Sequence, residues 1–302
     1  MANDTSTLIP EDVQITLVPK RKRTRIWEID FLRGVCVILM ILYHLLLMLS
    51  EYFGPAWYGT TIAGDSAGAE FCRWCREFCN SDTLATLHTV VLFVFFSISG
   101  ISCTFSRSNF RRGLILAGVA LLYTLVTYTL ESLLSVSGIL VTFGVLHFYA
   151  VCILAYAAID FLCRDKIWLR TSICAAIIVV VLCVYFLYTP PADTPLWLGI
   201  VFPPRDFFGN ESLFYTPAQI SPGDLFTLIP WASFFFAGTL LAPLLYTRRC
   251  SLLPFLDKGW HKPVGFVGKY AIFFYLAHVV VIAVVLMLVS YLFVSPGDWV
   301  LI

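Results

Sequence analysis

Apolar stretches of about 20 residues recur along the whole chain, near 27–50, 83–105, 113–132, 140–163, 171–188, 223–246 and 264–293. Each is long enough to cross a hydrocarbon core as a helix, and inside a bilayer only helices and closed barrels satisfy their own backbone polar groups. Residues are 59% hydrophobic and 13% charged, well below the charge of a soluble domain. The expected fold is therefore all-α: a polytopic transmembrane helical bundle of about seven spans. A polar, basic segment 1–25 precedes a single membrane domain, 26–302.

The cations sort by side. The run Lys20–Arg25 and the links holding Arg107, Arg111, Arg112, Arg164, Lys166, Arg170, Arg248, Arg249, Lys258 and Lys262 all fall on one face. The opposite face holds only Arg73, Arg76 and Arg205. The positive-inside bias predicts a cytoplasmic amino terminus and an outer carboxyl terminus. That is the reverse of a G-protein-coupled receptor. Directly before a spanning helix, the basic run reads as a topogenic flank, and nucleic acid is not an expected partner.

The segment Trp27–Glu51 carries a polar stripe. At 100° per residue with Asp30 at zero, Arg33 falls near 300°, His44 near 320° and Glu51 near 300°, while Glu28 lies on the other side. Arg33 and His44 are roughly 16 Å apart along the axis, so an ion pair at the inner interface leaves the imidazole near mid-membrane. His278 lies about 13 Å inward from Lys269 in the last span. His147 falls in the outer half of its span, and His88, Glu131 and Asp224 are expected near the outer mouth. Ionisable groups inside spans are costly, so they are functional candidates by default. His88 and His147 can equally be read as neutral histidines that hydrogen-bond a neighbouring helix, and Asp30–Arg33 as a helix-start ion pair.

Several motifs share a family pattern in order and spacing. R-I-W-E-I-D-F-L-R-G (Arg25–Gly34) leads into I-L-M-I-L-Y-H ending at His44. L-F-V-F-F-S-I-S-G ends at Gly100 and is followed by Arg111, Arg112 and Gly113, and F-G-V-L-H-F spans Phe143–Phe148. Pro230 and Trp231 precede F-A-G ending at Gly238, and G-K-Y-A-I-F-F-Y-L-A-H runs from Gly268 to His278. This series resembles the heparan-α-glucosaminide N-acetyltransferase catalytic domain family. The resemblance implies a polytopic membrane acetyltransferase that moves an acetyl group from cytosolic acetyl-CoA to a sugar or glycan acceptor on the far side. Under it, His44 is the expected general base, with His278 and Tyr275 as helpers for the oxyanion or the leaving thiolate. Asp30, Arg33, Arg111, Arg112 and Lys269 would form the donor end, and His88, Glu131, His147 and Asp224 the acceptor end. Animal members carry Asn at the His44 position and a His in the next loop. This chain has no His between 45 and 87, so the base lies among His44, His88 and His278.

Transfer from a thioester needs a base for the acceptor and a donor for the developing oxyanion, and a neutral histidine supplies the first without a carboxylate's desolvation cost. No P-loop, dinucleotide fingerprint, H-E-x-x-H or G-x-S-x-G is present, which sets aside the chemistries those motifs carry. Cys72, Cys75 and Cys79 occupy one face if their loop is helical, which favours packing or a local disulfide over a metal site. The loop 189–222 combines aromatics and carboxylates, a surface that suits a sugar or a structured cap. The competing class is a transporter using the same polar path. The plasma membrane is the expected location, with the lipid bilayer, an acyl-CoA and a glycan as partners.

Overall fold

The computed structural model describes residues 26–135, 138–164, 166–188, 199–201, 223–247 and 250–293. The basic run Lys20–Arg25, Arg205 and nearly all of the loop 189–222 lie outside them. The elements are α1 (Trp27–Met48), a π-helical turn (Leu49–Phe53), α2 (Gly54–Tyr58), α3 (Ala67–Cys79), α4 (Asp82–Thr104), α5 (Asn109–Leu134) and α6 (Val145–Cys163). They continue with α7 (Ile167–Leu187), α8 (Trp231–Leu245), a 3-10 turn (Pro254–Leu256), α9 (Lys262–Lys269) and α10 (Ala271–Phe293). Six of these stretches are long and apolar enough to span a membrane, the first running unbroken from Trp27 to Tyr58. The protein is an integral, multi-pass helical membrane protein.

Side-chain caps set the helix starts after the first turn-rich loop. Ser66 Oγ accepts from Ala69 N and Ser81 Oγ from Leu84 N, each at 3.2 Å, satisfying amides that have no partner within their own helix. The largest core joins α4, α5, α6, α7 and α8 through Phe96, Phe148, Tyr149, Tyr156, Trp231 and Phe235. Outward, Leu121, Phe161, Trp168, Phe186, Phe273 and Tyr291 are exposed, the inside-out arrangement of a chain solvated by lipid. Two helix pairs meet at backbone distance: a Cβ on Gly100 or Gly238 would strike the facing backbone across α4 and α8, and one on Gly34 or Gly268 would do so across α1 and α9. Small residues are what allow helices to approach this closely in lipid.

Two expected spans differ in form. The stretch 223–246 is helical only from Trp231 to Leu245, about 22 Å and short of the roughly 30 Å core. Pro230 stands at the helix start, and residues 223–229 are non-helical, with one isolated bridge between Leu225 and Phe143. Their amides are satisfied by other backbone: Gly223 N donates to Leu140 O at 2.8 Å, Phe226 N to Phe143 O at 3.1 Å, Leu228 N to Ile200 O at 2.9 Å and Ile229 N to Val201 O at 3.0 Å. Irregular backbone at membrane depth persists only when covered in this way or when it lines a polar cavity. The stretch 264–293 is two helices, α9 and α10, interrupted at Tyr270.

Candidate active site

Asp30, Arg33 and His44 all lie on α1, while Glu51, expected on the same stripe, falls in the π-helical turn that follows and is exposed. Arg33 Nη1 donates to Asp30 Oδ1 at 3.2 Å across one turn. The same guanidinium reaches two other helices: Nη2 donates to Ser102 Oγ on α4 at 2.7 Å, and Nη1 lies 3.5 Å from Gly268 O on α9. Both charged side chains are one-fifth exposed, and together they pin three helices at the basic end of the bundle. Ser102 had no sequence signal; a serine in an apolar helix is usually mere filler.

About three turns beyond Arg33, His44 and His278 come together, their ring centroids 4.7 Å apart and nearly perpendicular. Each ring is fixed by its own helix. His44 Nδ1 donates to Met40 O at 2.9 Å and His278 Nδ1 to Tyr275 O at 2.6 Å. Because both partners are carbonyls, Nδ1 carries the proton in each ring, and Nε2 holds a lone pair. His278 Nε2 is buried with no hydrogen-bond partner among the described residues.

His88 is level with this pair, not at the outer mouth. Its ring lies 5.4 Å from that of Tyr43, the residue next to His44. A depth counted from the end of α4 misses this, because α4 begins below the end of the long α1–α2 element. Tyr275 extends the row of rings, 5.8 Å from His278, and its hydroxyl donates to Asp224 Oδ2 at 3.0 Å. Val145 N donates to the same oxygen at 3.2 Å, so Asp224 caps the start of α6 and ties the non-helical stretch to α10. Asp224 thus reaches one turn from His278, deeper than a mouth residue.

His147 and Glu131 hold loops. His147 Nδ1 accepts from Gly144 N at 3.3 Å and its Nε2 pairs with Thr124 Oγ1 at 3.1 Å. Both ring nitrogens are used. Glu131 Oε2 accepts from the amides of Gly138, Ile139 and Leu140 at 3.2, 2.9 and 2.8 Å. Neither is joined to the His44–His278 pair by these bonds. At the basic end, Arg111, Arg112 and Lys269 are exposed, and Lys269 Nζ lies 4.8 Å above the Tyr270 ring. A separate cavity of about 260 Å³ opens among α4, α6, α7 and α8, lined by Thr104, Tyr156, Arg170, Thr239 and Tyr246. Among the described residues no three His, Cys, Asp or Glu side chains converge to hold a metal.

The family model described as heparan-alpha-glucosaminide N-acetyltransferase, catalytic, matches residues 25–64 and 69–280. The chain belongs to that family. No curated protein and no solved structure matches it. Membership in the heparan-alpha-glucosaminide N-acetyltransferase catalytic family implies transferase activity in a membrane protein, and the matched residues include Asp30, Arg33, His44, His88, Asp224, Tyr275 and His278. The rings that meet in the bundle therefore all lie inside the catalytic region of the family.

Proposed function

We propose that the protein transfers an acyl group, acetyl foremost, from a cytosolic acyl-CoA to an amine or hydroxyl of a sugar or glycan on the opposite side of the plasma membrane. The observation that carries this reading is the pair of imidazoles with Nδ1 committed to carbonyls, one presenting a buried, unpartnered Nε2. The dry lone pair is that of His278, beside the His44 ring, and it can accept from an N–H or O–H of an incoming acceptor while His44 serves as the base.

In this scheme His44 Nε2 takes the acceptor's proton as the acceptor nitrogen or oxygen bonds to the acyl carbon. The C–S bond then breaks, and the resulting imidazolium returns the proton to the leaving thiolate. His278 Nε2 is an acceptor while neutral, which suits orienting a second hydrogen of the acceptor better than stabilising an oxyanion. Tyr275 already donates its hydroxyl to Asp224 and acts by positioning His278. At the donor end, Arg33 is spent on Asp30, Ser102 and Gly268. The exposed Arg111, Arg112 and Lys269 are the cations left to meet the phosphates of the acyl-CoA.

The test is acyl-CoA-dependent labelling of membrane glycans, with the acyl group radiolabelled, in membranes holding the wild type or His44→Ala. Label in the glycan fraction from the wild type alone supports transfer. Acceptor uptake with no covalent product would instead favour a transporter built on the same polar path.

A further inference from the structure

The short helix α3, which the transfer chemistry does not use, divides into three chemically distinct faces. Ala69, Cys72 and Cys75 are buried in one cluster with Leu49 just after α1, Ile62 in the loop before α3, and Ile282 and Leu286 of α10. At 100° per residue, Glu70, Arg73 and Glu77 form a second, charged strip, and Phe71, Trp74 and Phe78 a third, apolar one between them. Phe71 and Trp74 remain about half exposed, at 50% and 49%. A helix that packs on its own protein and faces water needs two faces. The aromatic strip calls for a third environment.

Depth supplies it. Arg76 Nη2 donates to Ser50 O at 2.8 Å, and Ser50 lies six residues beyond His44, roughly 9 Å along the axis. Trp57 Nε1, in α2 at the far end of the loop that leads to α3, donates to Ser290 Oγ at 2.7 Å, and Ser290 lies twelve residues beyond His278, roughly 18 Å along the axis. The His44–His278 pair sits near the middle of the 32-residue apolar element Trp27–Tyr58. Half of a bilayer's hydrocarbon is roughly 15 Å, which sets α3 at the boundary between acyl chains and headgroups. Arg73 and Arg76 hold it there through the carbonyls of Ile62, Gly64, Thr60 and Ser50.

Ring geometry separates lipid from the other candidate, a sugar. Phe71 and Trp74 have centroids 5.8 Å apart at 17°, and Trp74 and Phe78 5.3 Å apart at 4°. The rings are offset-stacked, so Trp74 turns both faces toward its neighbours and presents an edge outward. A sugar platform needs an open ring face, whereas the lipid interface accepts an apolar wedge with an amphipathic indole. We propose that α3 is an interfacial anchor: its Phe71–Trp74–Phe78 edge lies in the leaflet opposite the basic loops, with Glu70, Arg73 and Glu77 toward water.

The experiment uses the full chain in phosphatidylcholine nanodiscs and takes the Trp74 emission as the difference between wild type and Trp74→Phe. With lipids brominated near the glycerol end of the acyl chain, this component should lose about half its intensity, while aqueous iodide should leave it unchanged. Quenching by iodide without quenching by brominated lipid would overturn the anchor. So would an emission shift on adding a soluble oligosaccharide, which marks a sugar platform. A wild-type measurement stands beside the variant: a lipid carrying a diazirine near the glycerol should label Phe71, Trp74 or Phe78 and spare Glu70 and Glu77. Absence of label in 67–79 would also sink the proposal.

Discussion

Gly268 lies against the backbone of Asp30, so close that a Cβ at position 268 would fall onto the Asp30 carbonyl oxygen. Gly34 stands in the same relation to Val264. α1 and α9 thus run in backbone contact, and α10, which follows α9 after the break at Tyr270, arrives in the register that lets His278 meet His44.

Gly268→Ala should therefore do more than add a methyl group. Backbone cannot swing aside as a side-chain tip can, so the two helices must part, at a cost of about 1–3 kcal/mol or more. A lowered unfolding temperature of the purified protein is expected, together with reduced turnover as the two imidazoles separate. An unchanged unfolding temperature would show that α1 and α9 part freely.

His44→Ala should leave an inserted, folded protein that transfers on the order of a hundredfold more slowly, the usual weight of a general base. His44→Asn is the sharper variant, because Asn fills similar space and keeps hydrogen bonding but takes no proton. Near-normal turnover in His44→Asn would assign the base to His278 or His88. The wild-type rate should fall on acidification, because a protonated Nε2 accepts nothing.

Asp30 and Arg33 should behave as one unit with Ser102 as a lesser member. Asp30→Asn or Arg33→Gln alone leaves a partly buried charge without its partner, whereas the double neutral change removes both. The two effects on stability should fall well short of additive. Ser102→Ala removes one charge-assisted bond and should cost about 1–3 kcal/mol. Additive losses in the double-mutant cycle would show that the pair does not interact.

The α1 stripe was legible in sequence because Asp30, Arg33 and His44 share a helix, and helical period alone sets their common face. The all-α, multi-span character was legible from the length of the apolar runs, and six of the seven stretches expected hold helices long enough to span. The His44–His278 contact was not, since it depends on how closely α1 and α9 pack and on where α9 gives way to α10. His147 and Glu131 stood out only as ionisable residues near a membrane. Their partners are the Thr124 hydroxyl and four backbone amides, and amides carry no residue identity to read. The non-helical stretch before α8 was hidden by composition: residues 223–230 are apolar enough to pass for helix, and Pro230 was the one mark against it.

The three cysteines of α3 are free thiols, with Cys72 and Cys75 buried. Burial first, then the neighbouring Cys72 and Cys79, pushes the Cys75 thiol up to about 11. Thiolate is the reactive form, so Cys75 holds little of it at neutral pH. In intact protein at pH 7.5, with the pH an assay choice of about that value, iodoacetamide should modify exposed Cys250 first and leave Cys72 and Cys75 unmodified until α3 is unfolded. Rapid labelling of Cys75 in folded protein would contradict its place against α1 and α10.

Several polar groups on the first span are matched by residues of α9, α10 and the segment that precedes them. Glu28 Oε1 receives Ser251 Oγ at 2.7 Å and the Leu253 amide at 3.1 Å. Arg33 meets Gly268, His44 meets His278 and Trp57 meets Ser290. In synthesis the first span precedes these partners by 223 to 235 residues. Asp30 and Arg33 pair within α1 itself, but the imidazole pair comes into being only when α10 emerges. A chain that stops short of α10 keeps all of α1 and lacks the imidazole pair.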